Sequence, residues 1–307
     1  YIDDFLPGFM EDSYVDGKIY SIPFQRSTMV LYYNKDAFKE AGLDPETPPA
    51  TWEELAEYGQ KLTDDGRYGV GIALNSGSAQ WAFTGFCLQN STDGQNLMSE
   101  DGKSVYFNTP ENVEALQFWL DLQNEYKCMA EGIVQWTDLP TQFLAGEVAM
   151  IYHTTGNMAN IHDNADFDFG TAFLPAHKRV GAPTGGGNFY ISSGISEDRV
   201  QAAWKFIKFA TSTDRAAQWS LDTGYVATRQ SCFDTDLIKD YYAEVPQASV
   251  AYEQLPYAKP ELTTYNAAEI WRVLNDNIQA AVVGDMSARE ALDAAQEQAE
   301  EVLSEYQ

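Results

Sequence analysis

The stretch IPFQRSTMVLYYNKDAFKEAGLDPETPPATWEEL, Ile22 to Leu55, constrains this chain more than any other. Met29 to Tyr33 is short and almost wholly apolar, the pattern of a strand buried on both faces. Asn34 ends it, and Lys35 to Ala41 has helical composition closed by Gly42, a C-cap residue. Pro45, Pro48 and Pro49 make a rigid turn. Thr51-Trp52-Glu53-Glu54 then fits a capping box: Thr51 accepts from the third helical residue's backbone and Glu54 reaches back. Trp52, Leu55, Ala56, Gly59 and Leu62 recur at helical spacing and predict a helix with one face inward. Gln25-Arg26-Ser27-Thr28 is polar where the chain enters this core. Such an entry either binds a ligand or solvates a loop, and both readings stand at this point.

The same alternation continues. Strands are expected over Gly17 to Phe24, Tyr68 to Leu74, Val148 to Tyr152 and Phe167 to Phe173. Asn75 to Phe86 reads as a polar, glycine-containing loop entering an aromatic segment. Thr109-Pro110 opens a helix with proline at its first position, striped by Val113, Leu116, Trp119 and Leu120. Pro140 to Gly146 is a short helix. His153-Thr154-Thr155-Gly156 follows a buried strand at its carboxyl end, where ligands sit in open α/β sheets. Gly185-Gly186-Gly187-Asn188 precedes a strand expected over Phe189 to Ser193. That is no dinucleotide fingerprint, since no helix follows; the glycines let the backbone bend or approach a ligand closely. Ser196 caps a helix with Val200, Ala203, Trp204, Ile207 and Ala210 on one face. A further helix, Asp214 to Leu221, stops at Thr223-Gly224-Tyr225. Glu269 to Val283 and Ser287 to Tyr306 are long helices, the last opening with a second capping box at Ser287 and Glu290. Alternating strands and helices indicate an α/β fold.

With 307 residues the chain can bury a large core and is expected to make two domains or lobes. A formal charge of −27, from 46 acids against 19 bases, disfavours nucleic acid and anionic membranes as partners. No apolar run approaches the ~20 residues of a membrane span. The sequence opens with YIDDFLPGF, which does not read as a signal peptide. Cys87, Cys128 and Cys232 form neither a disulfide framework nor a metal motif and are expected as buried thiols. His153, His162 and His177 lack metal-ligand spacing, and neither a metal nor a cofactor is implied. Nucleophile-elbow, zincin and phosphate-loop motifs are missing. Acids are too abundant for any pair to single itself out as catalytic.

Taken in order, VLYYNKDAFKEAGLDPETPPATWEEL, FLAGEVAMIYHTTGNMANI, FDFGTAFLP, GGGNFYIS, TGYVATR and EIWRVLNDNIQAAVVGDMSAREALDAA resemble one family. It is the extracellular solute-binding proteins of ABC importers, the group containing maltose-binding protein and the glycerol-3-phosphate-binding protein. The resemblance spans the whole chain and is closest to the latter. It implies two α/β lobes joined by crossing strands, with a sugar or glycerol-phosphate-type ligand between them, delivery to a membrane permease, and an extracytoplasmic location. Carried over, the crossings fall near 21–28, 185–189 and 232–239. One lobe comprises 29–184 and 240–307; the other keeps 1–26 and 188–231. Family members carry a segment before the position of Tyr1 that furnishes part of the ligand site. A chain without it is expected to bind weakly and to associate, whereas the full-length protein is expected to be a monomer.

The resemblance also nominates site residues, each with a structural alternative. Ser27 falls on a ligand-contacting serine, or is a strand-start hydroxyl. Thr154 and Thr155 fall on a ligand-contacting Ser-Ser pair. Gly185 and Gly186 fall on a glycine whose backbone meets ligand, or form a plain hinge. Tyr225 follows Thr-Gly as the family tyrosine does. Trp81 sits in a loop facing the cleft in relatives, or in the core. Trp52 and His153 are read as structural. Trp271, counted back from Ala291-Leu292, matches a phosphate-binding arginine in one relative and a sugar-stacking tryptophan in the other, or is a core residue beside Val273, Leu274 and Ile278. Indole offers a flat apolar face, not a charged fork, so a neutral carbohydrate is expected. Arg272 is turned ~100° away on the helix and cannot replace that arginine. A carbohydrate-active hydrolase with carboxylates across the cleft, and an adhesion module without a pocket, are the rival classes.

Overall fold

The computed structural model describes residues 1–307 except Asp16 and Ser76. The strands are β1 (Tyr14–Val15), β2 (Lys18–Ile19), β3 (Ile22–Asn34), β4 (Tyr68–Gly71), β5 (Val148–Thr154), β6 (Phe169–Ala172), β7 (Ala182–Phe189) and β8 (Ala258–Lys259). The helices of the first half are α1 (Pro7–Met10), α2 (Lys35–Glu40), α3 (Trp52–Leu62), α4 (Ala79–Asn90), α5 (Pro110–Asn124) and α6 (Leu139–Leu144). Those of the second half are α7 (Met158–Asn164), α8 (Glu197–Ala210), α9 (Thr213–Thr223), α10 (Asp236–Glu244), α11 (Ser249–Gln254), α12 (Ala267–Val282) and α13 (Ala288–Leu303).

Everything turns on β3. Its first half, Ile22 to Thr28, pairs antiparallel with β7; its second half pairs antiparallel with β5 and β6. The main sheet runs β4-β5-β3-β7-β8, with β6 beside β3. Met29, Leu31 and Tyr33 point into a large core with Trp52, Phe86, Trp119 and the inner faces of α12 and α13. Val30 and Tyr32 point the other way, into a second core with Phe143, Ile151, Met158 and Phe169. Two apolar faces on one strand explain the unbroken hydrophobic run, because neither face meets water.

Most helix signals hold, but Ser196, at the N-cap position of α8, makes no side-chain capping hydrogen bond, and the box at Thr51 is altered. Asn34 Oδ1 accepts from Ala37 N at 2.9 Å, and Gly42 takes φ +74°, the left-handed step that stops α2. Thr51 Oγ1 accepts from Glu54 N at 3.2 Å, but Glu54 Oε2 takes Ala50 N, at 2.7 Å. The box at Thr51 is therefore half-made: its carboxylate reaches one residue further back. At Ser287 both arms are present. All three cysteines are buried free thiols, as expected.

Five expectations need correction. Trp81 lies in no loop: residues 79–90 form α4, all twelve of them buried. A helix with no wet face has no polar–apolar period, so its sequence does not betray it. Ser76, part of the expected loop, lies outside the described residues. Gly185, Gly186 and Gly187 do not precede a strand but lie inside β7, which ends at Phe189. Gly17 to Phe24 is split between β2 and the start of β3. The segment 232–239 is no crossing strand; a 3-10 turn (Gln230–Asp234) and the start of α10 occupy it. In α8 only Ile207 of the expected stripe is fully buried, and the neighbouring Phe206 and Phe209 are exposed.

Candidate ligand-binding site

The site is assembled where β3 passes from one set of neighbours to the other. Ser27 is buried and sits opposite Gly185 on β7. A Cβ on Gly185 would lie 2.7 Å from the Trp81 ring, so the indole of α4 rests directly on this glycine's backbone. Trp81 also donates its indole N–H to the Thr184 carbonyl at 2.9 Å. These two contacts hold the ring against the crossing strands with 8% of its surface exposed. Trp81 is thus a core residue that also borders a cavity.

Trp136 faces it, with ring centroids 5.6 Å apart and planes at 55°. Trp136 stacks in turn on His153 at 3.9 Å, and His153 Nε2 meets the Trp136 carbonyl at 3.3 Å. Burial holds the His153 pKa down to about 4, so the ring is neutral at physiological pH. Asn75 Oδ1 accepts from the Trp136 backbone at 2.8 Å. Together Asn75, Gly77, Ser78, Trp81 and Trp136 border an open cavity of about 220 Å³. Trp136 escapes the sequence reading because its segment has neither helical nor strand periodicity; an isolated tryptophan between Gln135 and Thr137 is the only signal.

Polar groups converge beside this wall. β5 ends at Thr154, paired with Met29, and Thr154 Oγ1 accepts from Gly156 N at 3.1 Å. The Thr155 hydroxyl is buried without a hydrogen-bond partner, as is His153 Nδ1. Tyr225 follows Gly224, whose φ of +85° ends α9. A Cβ on Gly156 would strike the Tyr225 ring at 2.7 Å, so this glycine lets the tyrosine lie flat against the Thr154–Gly156 turn. Val226 then donates to the Arg26 carbonyl at 2.9 Å, tying Tyr225 to the same stretch of β3. Ser27, Trp81, Thr154, Thr155, Gly185, Gly186 and Tyr225 therefore come together.

Trp271 stands apart. It is half-buried against the main core and donates its indole N–H to the Leu262 carbonyl at 2.5 Å. It does not border the cavity between the two tryptophans. Arg272, beside it, is held by Glu269 at 2.6 Å and Asp276 at 2.7 Å on its own helix. A second cavity, about 230 Å³, is lined by Tyr68, Val70, Met129, Leu139 and Val148. It opens at the start of β5, away from Thr154, and brings no site residue together.

The architecture has known counterparts. A sequence model of the bacterial extracellular solute-binding proteins matches residues 1–247. The chain belongs to that family. The sn-glycerol-3-phosphate-binding periplasmic protein UgpB of Escherichia coli K12 is 30% identical over 321 aligned residues, covering 98% of this chain and 71% of that protein. UgpB from Mycobacterium tuberculosis, solved in complex with glycerophosphocholine, superposes with a TM-score of 0.88 at 27% identity, covering 99% of this chain and 76% of that one. The cyclic alpha-maltosyl-1,6-maltose binding protein from Arthrobacter globiformis gives a TM-score of 0.84 at 27% identity, over 99% and 77% of the two chains. The two-lobed fold expected from the sequence is the fold of these structures. As a solute-binding protein of the ABC-importer class, the chain binds rather than transforms its solute, and the hydrolase reading falls away.

Proposed function

We propose that this solute-binding protein captures a neutral carbohydrate or polyol by lobe closure and presents it to a membrane permease outside the cytoplasm. The observation that carries this reading is the pair of tryptophans, Trp81 and Trp136, set beside unpaired and half-exposed hydroxyls at the β3 crossing. Indole faces stack on the apolar side of sugar rings, and fixed hydroxyls take the ring's own hydroxyls. The buried Thr155 hydroxyl is a group that a polar ligand or a water satisfies. Thr154, Tyr225 and Ser27 supply further hydrogen bonds, and the Gly185–Gly186 backbone lies within the same crossing. Trp271 is assigned a supporting role, through its hold on the Leu262 carbonyl. In this reading the lobes divide as 1–26 with 188–231 and 29–184 with 240–307, hinged at 21–28 and 185–189.

Charge favours a neutral ligand over a phosphoester. Arg272 is engaged by two carboxylates. Arg26, inside the crossing, is held by Asp12 at 2.8 Å and by Thr184 and Asn188. A phosphate would have to displace a carboxylate from either fork.

Tryptophan fluorescence titration with neutral sugars, polyols and sn-glycerol-3-phosphate tests the proposal. Trp136→Ala is expected to weaken the best neutral ligand by about 1–3 kcal/mol, the loss typical of a stacked aromatic anchor. Tight binding of glycerol-3-phosphate with no response to sugars would overturn it.

A further inference from the structure

Trp136 stands in a turn that belongs to no helix or strand, and its neighbours Gln135, Thr137 and Asp138 are exposed. No ladder fixes such a residue, so its placement depends on what holds its backbone. Side chains from two other parts of the chain do so. Its N–H donates to Asn75 Oδ1 at 2.8 Å, and the same oxygen accepts from Ser78 Oγ at 2.8 Å. Its carbonyl lies 3.3 Å from His153 Nε2 on β5. The imidazole also stacks on the indole, with centroids 3.9 Å apart and planes at 22°. His153 is itself firmly placed: it is 3% exposed and paired with Val30 on β3.

The Trp136 carbonyl decides which ring nitrogen carries the proton. A carbonyl only accepts, so Nε2 donates and Nδ1 presents its lone pair. Burial keeps the ring neutral at physiological pH, so a second proton is not bound there. Nδ1 is buried without a partner, and the ring's hydrogen bonding is therefore directed at Trp136. From Trp136 the contacts run on. Trp136 meets Trp81 at 5.6 Å with planes at 55°, and Trp81 donates to the Thr184 carbonyl of β7 at 2.9 Å. Three rings thus connect β5 with β7, the strands on either side of β3 in the sheet. His153 is the end of this chain rooted in a strand, and Trp136 is the link rooted in none.

We propose that His153 is the positioning residue of Trp136: with Asn75 it sets the angle at which that indole meets Trp81. Asn75 fixes where the Trp136 backbone lies. The stack and the Nε2–H bond then fix the tilt of the ring, because the indole cannot turn without losing contact with the flat imidazole face. An aliphatic side chain of similar bulk would fill the space but would neither stack nor donate to the carbonyl. Any effect on affinity rests on the reading of Trp136 as a stacking wall for solute. The geometry depends on no ligand.

Two indoles this close couple excitonically, and the circular-dichroism couplet they give depends on their mutual angle. Subtracting the spectrum of the matching Trp136→Ala protein isolates the part due to Trp136 from the chain's other tryptophans. In the ligand-free chain, His153→Leu is expected to lose most of this couplet. His153→Phe, which restores a flat ring without the N–H, is expected to recover part of it. Should His153→Leu not fold, His153→Phe carries the comparison alone, with a couplet weaker than the wild type's. An unchanged couplet in the folded variants would overturn the proposal. With solute, His153→Leu is expected to weaken the best neutral ligand about tenfold and to add nothing in the Trp136→Ala background, because both act through one indole. An equal loss in both backgrounds would show that His153 only supports the fold, and would overturn the proposal as well. A couplet that changes as expected, while Trp136→Ala leaves the affinity for neutral ligands intact, upholds the positioning role and refutes the carbohydrate reading instead.

Discussion

Gly186→Ala is expected to cost about 3 kcal/mol or more of folding stability, read as a shift in the denaturant midpoint. Gly186 sits at φ +99°, where an L side chain is strained by roughly 1–2 kcal/mol before any contact is counted. A Cβ there would stand 2.0 Å from the Gln25 carbonyl oxygen, which is backbone and cannot swing aside. β3 and β7 would have to part between Gln25 and Ser27, next to the irregular register at Pro23 to Gln25. The ladder bonds lost there add to the strain, and Arg26 would leave its buried pocket with them. Gly187→Ala is the control: its Cβ would meet only the flexible Gln25 side chain, at 3.4 Å. Equal midpoints for the two variants would show that Gly186 is not the pinned residue of the crossing.

The glycines illustrate how far a sequence can be read. Three in a row announce a place where backbones approach, but not which glycine is indispensable, nor that the strand surrounds them rather than follows them. Met29 to Tyr33 was legible as a doubly buried strand because both faces are apolar, and Thr109 and Ser287 as helix starts because their capping hydrogen bonds are local. α4 was not legible, since burial all round erases the period that marks a helix. The site divides in the same way. The position of Thr154 and Thr155 beside the β3 crossing was readable from their place after a buried strand. Trp136 was not, because its role depends on His153, seventeen residues later, and on Asn75, sixty-one residues earlier. The Asp12–Arg26 ion pair is also non-local: its members lie on a turn and a crossing strand, and no motif links them.

Trp81→Ala should have the largest combined effect, because it removes a core residue and a site wall together. Trp81 fills the space over Gly185 and holds the Thr184 carbonyl. Truncating a buried tryptophan typically costs about 3–5 kcal/mol of stability through the cavity left behind, and here a strand carbonyl also loses its donor. Binding should fall as well, since Trp136 would lose the partner that fixes the cavity's width. The two losses separate through Trp81→Phe, which keeps an aromatic face over Gly185 but has no N–H. That variant is expected to lose about 1 kcal/mol of stability for the missing hydrogen bond while keeping most of its affinity for a neutral sugar. Trp81→Ala, assayed where circular dichroism shows it folded, should weaken the same sugar by about 100-fold, in line with a desolvated aromatic anchor. If Trp81→Ala stays folded and binds as the wild type does, the indole is a core residue alone, and the solute must be held by Trp136 and the hydroxyls of Thr154, Thr155 and Tyr225.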